Sequence, residues 1–73
     1  MQISFTGQMV ALGRILGDEE PFIGSNEVVV RQEVGPTRRD THVVGITDEQ
    51  ARSLASGMFG PVRITIELVK AEG

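Results

Sequence analysis

Hydrophobic and polar residues alternate in two stretches of this chain, near its two ends. The odd positions from 3 to 9 are Ile, Phe, Gly and Met, and the even positions between them are polar. From position 62 to 68 the aliphatic residues fall on even positions, separated by Arg63, Thr65 and Glu67. Strict alternation places successive side chains on opposite faces of a β-strand. The pattern therefore predicts two half-buried strands, the second spanning residues 61–70.

The first alternation changes phase at Val10, because Val10 and Leu12 occupy even positions without an intervening turn. Such a change is typical of a β-bulge or a sharp bend, which Gly7 or Gly13 would help to form. Residues 2–16 are therefore predicted to form either one bent strand or two short ones. The residues alone leave both possibilities open.

The middle of the chain predicts two further strands. Alternating valines indicate a strand over 27–34, and a shorter one is expected over 41–46, running directly into a helix. Glycine, proline and acidic residues predict a loop over 17–26. Residues 35–40 are predicted to form a turn, which is long for a plain hairpin.

A short helix is predicted over about 48–56. Thr47 and Gln50 have the spacing of a capping box, in which each side-chain oxygen accepts a hydrogen bond from the other residue's backbone N–H. Gly57 is expected to end the helix in the left-handed conformation. The helix places one apolar stripe at the i, i+3, i+4, i+7 spacing: Ala51, Leu54, Ala55 and Met58.

The order of these elements predicts a mainly β fold with one short helix before the last strand. We expect one domain, 1–73, folded as a small antiparallel five-stranded barrel or curled sheet. In element order the chain resembles SH3-like and OB-like small barrels. Helices of OB folds usually lie between the third and fourth strands, so the strand count over 2–16 decides which group is nearer.

Composition limits the chemistry available to this fold. The chain has 73 residues, 40% hydrophobic and 4% aromatic, no cysteine and one histidine. Disulfides, thiolate metal sites and multi-histidine clusters within one chain are excluded, and no cofactor or metal is expected. A core of this size stabilises a fold by only about 3–5 kcal/mol, so self-association is a reasonable way to bury more surface.

Charge and hydropathy narrow the possible partners. Seven Lys and Arg are scattered among ten acids, giving a net charge of −3, whereas duplex DNA binders align several cations against phosphates. No apolar run approaches the roughly 20 residues that cross a bilayer, and residues 1–5 lack the pattern of a signal peptide. We therefore expect a soluble, intracellular (cytoplasmic) protein without membrane partners, a viral particle being one setting for it.

No catalytic constellation is recognised. His42 has no serine or cysteine nucleophile at a familiar spacing, and is more simply a cross-strand polar residue. The acidic run 18–20 lacks the alternating oxygen ligands of a metal-binding loop. The glycines at 13, 17 and 24 fit neither a dinucleotide fingerprint nor a P-loop. We therefore expect that this protein is not an enzyme.

Several residues are instead candidates for protein contacts. Phe22 and Ile23 form a bulky apolar pair within a polar loop, typical of either a loop folded onto its own barrel or an anchor for a partner. Arg38 and Arg39 could meet the acidic loop of a neighbouring copy, and Phe59 is a third candidate. We therefore expect a protein-binding or assembly module, acting as a homo-oligomer or as an accessory subunit of a larger assembly.

The alternative is an OB-like barrel that binds single-stranded nucleic acid. Such binding combines a basic groove with aromatic side chains on which bases stack. The chain supplies only three Phe, and its acidic net charge disfavours this function. The arginines that would carry it are Arg31, Arg38, Arg39 and Arg63.

Overall fold

The computed structural model describes residues 1–15 and 24–70. Their four strands form one antiparallel sheet in the order β3-β2-β1-β4, with a short helix between β3 and β4. The chain is therefore mainly β, as the alternation predicts. The elements are β1 (Gln2–Arg14), β2 (Asn26–Val34), β3 (Thr37–Ile46), α1 (Asp48–Ala55) and β4 (Pro61–Glu67).

β1 is one continuous strand with a bulge, which decides between the two possibilities for residues 2–16. Met9 lies opposite Val30 and Ala11 lies opposite Val29, so Val10 is the extra residue. The bulge returns Leu12 to the face that Met9 occupies, which explains the change of phase in the sequence. β1 pairs with β4 through its first half and with β2 through its second half.

The turn between β2 and β3 is shorter than predicted. Val34 pairs with Thr37, which leaves only Gly35 and Pro36 in the loop, and β3 begins at Thr37 rather than at residue 41. Gly35 has a φ of 59°. A positive φ at the first loop residue, followed by the fixed negative φ of proline, suits a primed two-residue turn whose twist matches the strands. Residues 37–40 are all polar, so alternation of apolar residues does not indicate this first part of β3.

The start of α1 confirms the capping box. The Gln50 N–H donates to the Thr47 hydroxyl at 3.1 Å, and the Thr47 N–H donates to the Gln50 side-chain oxygen at 3.0 Å. The helix ends at Ala55, close to the predicted end, but the left-handed conformation predicted for Gly57 is wrong. The Gly57 N–H donates to the Leu54 carbonyl at 2.9 Å, a tight terminal turn, and the residue with positive φ is Phe59, at 64°.

The core is small and lies on one face of the sheet. Met9, Val28 and Val30 are buried, and no residue of α1 is buried completely. Partly buried side chains that pack on this cluster are Leu12, Ile46, Leu54, Met58, Val62 and Ile64.

The described residues do not form the predicted closed barrel. They contribute four strands rather than five, and β3 and β4 lie at opposite edges of the sheet without pairing. Neither an SH3-like nor an OB-like topology is therefore confirmed. The last strand ends at Glu67 instead of residue 70, although the Leu68 N–H still donates to the Met1 carbonyl at 3.3 Å.

Candidate protein-binding surface

The apolar face of the sheet is covered at one end only. α1 lies over the end formed by the second half of β1, where Leu54 and Ile46 pack towards Met9. A cleft of about 230 Å³ remains between the helix and the sheet. Its lining is almost wholly aliphatic, apart from Arg63: Met9, Val28, Val30, Val43, Ile46, Leu54, Val62 and Ile64.

The other end of this face is uncovered by the described residues. Ile3 and Ile66 lie directly opposite each other on β1 and β4, yet they are 56% and 57% exposed. Leu68 follows in the same register and is 76% exposed. Ile3, Ile66 and Leu68 together are called the aliphatic patch. Contiguous exposed aliphatic side chains at a sheet edge are typical of a binding surface.

The alternation in the sequence assigns these three residues to the apolar face of the sheet, but it does not show that they remain exposed there. The available signal is that, in the described part of the chain, one helix of eight residues is the only element outside the sheet that can cover the apolar face of four strands. A sheet buries such a face only when a second layer packs against it. Here α1 covers only the end near the β1 bulge.

Phe59 is a second exposed hydrophobic feature. Its backbone connects the α1–β4 turn to β1, because its N–H donates to the Met9 carbonyl and its own carbonyl accepts from the Gln8 side chain, both at 2.8 Å. The ring is 65% exposed. The structure thus places this predicted contact residue on the surface, next to Thr6 and Pro61.

The opposite face of the sheet is polar, and its charges are partly paired. The Arg31 guanidinium makes a bidentate ion pair with the Asp40 carboxylate on the neighbouring strand, donating from Nε at 2.9 Å and from Nη2 at 3.2 Å. This hydrogen bonding lowers the pKa of Asp40 and raises that of Arg31. His42 Nδ1 lies 3.2 Å from Glu27, so the single histidine is a cross-strand polar residue, as expected.

The four arginines proposed for nucleic acid do not form one surface. Arg38 and Arg39 are consecutive in β3, so their side chains lie on opposite faces of the sheet. Arg31 is already paired with Asp40. Arg63 lies on β4 at the polar face, with no carboxylate within 4.0 Å among residues 1–15 and 24–70. Four carboxylates share that face with three arginines: Glu27, Glu33, Asp40 and Glu67.

A separate polar cluster fixes the start of α1 to the sheet. Asn26 is buried, and its side-chain amide donates to the Ile46 carbonyl at 3.1 Å and to Asp48 at 2.9 Å. Arg14 lies 3.1 Å from the same Asp48 carboxylate. The hydrogen bond from Asn26, reinforced by Arg14, lowers the pKa of Asp48. This cluster is explained by its role in positioning the helix.

The candidate loop pair Phe22 and Ile23, and the acidic run 18–20, lie outside the described residues. Within the described part of the chain, no group of three or more His, Cys, Asp or Glu is placed to hold a metal ion. The one described helix, α1, has neither the length nor the apolar content to span a membrane.

Comparison of the chain with protein-family models, curated proteins and solved structures gave no match.

Proposed function

We propose that this chain is a non-enzymatic protein-binding and assembly module. It acts as a homo-oligomer or as an accessory subunit of a larger assembly, viral particles included. The observation that carries the proposal is the aliphatic patch, where Ile3 and Ile66 are paired across the sheet yet more than half exposed. Full burial of an exposed aliphatic side chain by a partner contributes about 1.5–3 kcal/mol.

Two further features support this function. Ile66 of the patch lies on β4, which is an edge strand. A partner can therefore bury the aliphatic side chains and also pair one of its own strands with β4. Phe59 offers a rigid aromatic contact on the α1–β4 turn, and aromatic residues often carry a large share of interface energy.

The alternative function, binding of single-stranded nucleic acid, has weaker support. Its requirements are a basic groove and stacking aromatics. Arg31 is neutralised by Asp40, and Arg39 lies on the other face from Arg38. Phe59 is the one phenylalanine among the described residues that is largely exposed, since Phe5 is half-buried. The arrangement therefore favours a protein partner.

The experiment compares wild type with Ile66→Ser, using Val44→Ser as the control. Val44 is also an exposed aliphatic residue, but it lies on the polar face at the other edge strand. Light scattering over a range of concentrations measures self-association, and affinity purification from the native host measures capture of other proteins. We expect Ile66→Ser to lower one of these signals and Val44→Ser to leave both unchanged. The proposal would be contradicted if wild type were monomeric at all concentrations and captured no host protein that Ile66→Ser does not also capture.

A further inference from the structure

Among residues 1–15 and 24–70, no strand pairs with the outer edge of β4, so backbone groups at known positions there are unpaired. The Leu68 N–H donates to the Met1 carbonyl, and the Gly60 carbonyl accepts from the Met9 N–H at 3.0 Å. Even-numbered residues of this strand therefore direct their backbone groups towards β1. Because these directions alternate in an antiparallel pair, the odd-numbered residues direct theirs to the open edge. Pro61 has no N–H to offer, so the usable donors are those of Arg63, Thr65 and Glu67.

The side chains along this edge are arranged symmetrically about Thr65. Arg63 and Glu67 lie two residues to either side of it, on the polar face, while Ile64 and Ile66 flank it on the apolar face. A second copy of β4, added antiparallel about a two-fold axis at Thr65, would therefore meet opposite charges and matching apolar residues. This is the self-complementarity that an isologous dimer interface requires.

We propose that two copies of this chain dimerise by pairing their β4 strands antiparallel about Thr65. This inference rests on the proposed function and names its partner as a second copy. Arg63 of one copy lies opposite Glu67 of the partner subunit, and the symmetry gives this ion pair twice. Opposite charges directly across an antiparallel pair contribute roughly 0.2–1 kcal/mol each, whereas like charges there are destabilising.

The charges select this register over its neighbours. An axis at residue 63 would place the two Arg63 side chains opposite each other, and an axis at residue 67 would do the same to Glu67. Axes at 64 or 66 would leave Arg63 without the partner's Glu67 directly across. All of these axes keep odd-numbered residues opposite odd-numbered ones, as backbone hydrogen bonding between the two edges requires. Only the axis at Thr65 also pairs both charges.

The same register extends the apolar face that carries the aliphatic patch. Ile64 would lie opposite Ile66 of the partner subunit, so the apolar face would continue across an eight-stranded sheet. The other edge strand is a poorer site for such pairing, because β3 carries charges on both faces at Arg38, Arg39 and Asp40. Charged side chains on an edge strand disfavour edge-to-edge association.

Charge reversal tests the dimer. Arg63→Glu places two pairs of carboxylates opposite each other, and Glu67→Arg places two pairs of arginines. In sedimentation equilibrium, each single variant is expected to weaken dimerisation by about tenfold or more. An equimolar mixture of the two single variants, and the double variant Arg63→Glu/Glu67→Arg, restore complementary pairs and should recover the wild-type dissociation constant. Arg52→Glu, on α1, and Glu33→Arg, on β2, make the same charge changes away from β4 and should have no such effect.

The outcomes separate this dimer from the broader function. Wild type that stays monomeric at every concentration overturns the dimer, while capture of a host protein lost in Ile66→Ser would preserve the binding function. A wild-type dimer that tolerates both charge reversals overturns the β4 register, since another surface then makes the contact. Weakening by both single variants without recovery in the mixture also overturns it, because complementarity is then not the cause.

Discussion

Phe59 donates its backbone N–H to the Met9 carbonyl at 2.8 Å while its own ring remains largely exposed. Its φ of 64° is the left-handed conformation, which costs a residue with a side chain about 1–2 kcal/mol. The hydrogen bonds to Met9 and from Gln8 hold it there. We therefore expect Phe59→Gly to raise the free energy of unfolding by about 1 kcal/mol, measured by chemical denaturation, because glycine adopts this conformation without strain.

Phe59→Ala is the matched control for that experiment, since it removes the ring but keeps the unfavourable φ. If the ring is a partner contact, both variants weaken association, and only the glycine variant gains stability. Equal unfolding free energies for the two variants would show that the conformation at residue 59 costs nothing.

Gly7 lies where β1 and β2 approach closely. A Cβ atom added there would come within 2.6 Å of Val30 Cγ1 and 2.8 Å of the Arg31 carbonyl oxygen. The backbone oxygen cannot move aside without disturbing the sheet, so Gly7→Ala should destabilise the protein by about 1–3 kcal/mol. Gly13→Ala is the control, because a Cβ there meets no atom within 4 Å. Thermal unfolding of both variants checks the prediction, and similar midpoints would contradict it.

The Arg31–Asp40 ion pair should make stability depend on acid pH. The pKa of Asp40 is below its ordinary value of 3.8 in the folded protein, so the unfolded chain binds protons first as the pH falls. The stabilisation is complete above the ordinary carboxyl pKa and is lost as the pH falls through the folded pKa. Asp48, with its pKa lowered by Asn26 and Arg14, adds to the same trend.

Asp40→Asn should therefore reduce the slope of unfolding free energy against pH in the acid range. Arg31→Gln removes the main cause of the shift and should reduce it too. Urea unfolding at a series of acid pH values measures the slope. An Arg31→Gln variant with the full wild-type slope would contradict the assignment to this ion pair.

Oligonucleotide titration separates the two candidate functions. The polar face carries more carboxylates than arginines among the described residues, so we expect no salt-dependent binding of single-stranded oligonucleotides. Fluorescence anisotropy at low salt provides the measurement. Binding that weakens with added salt, and is lost in Arg38→Ala/Arg39→Ala, would favour the nucleic-acid function instead.

The sequence alone determined the local elements. Alternation predicts β1 and β4, the phase change at Val10 marks the bulge, and Thr47 with Gln50 marks the start of α1. These features depend on neighbouring residues, so a short window of sequence contains them. The two-residue turn at Gly35 escaped prediction because polar residues at 37–40 belong to a strand whose pairing partner, β2, sets its register.

Only the tertiary structure decided which part of the apolar face is exposed and which strands lie at the edges of the sheet. The alternation assigns Ile3 and Ile66 to an apolar face, but whether that face is covered depends on where α1 packs, which local periodicity does not specify. The same holds for the edges, since the order β3-β2-β1-β4 arises from long-range pairing. The exposed aliphatic patch beside a charge-symmetric edge strand is therefore a property of the assembled sheet, because it joins residues from the two ends of the chain.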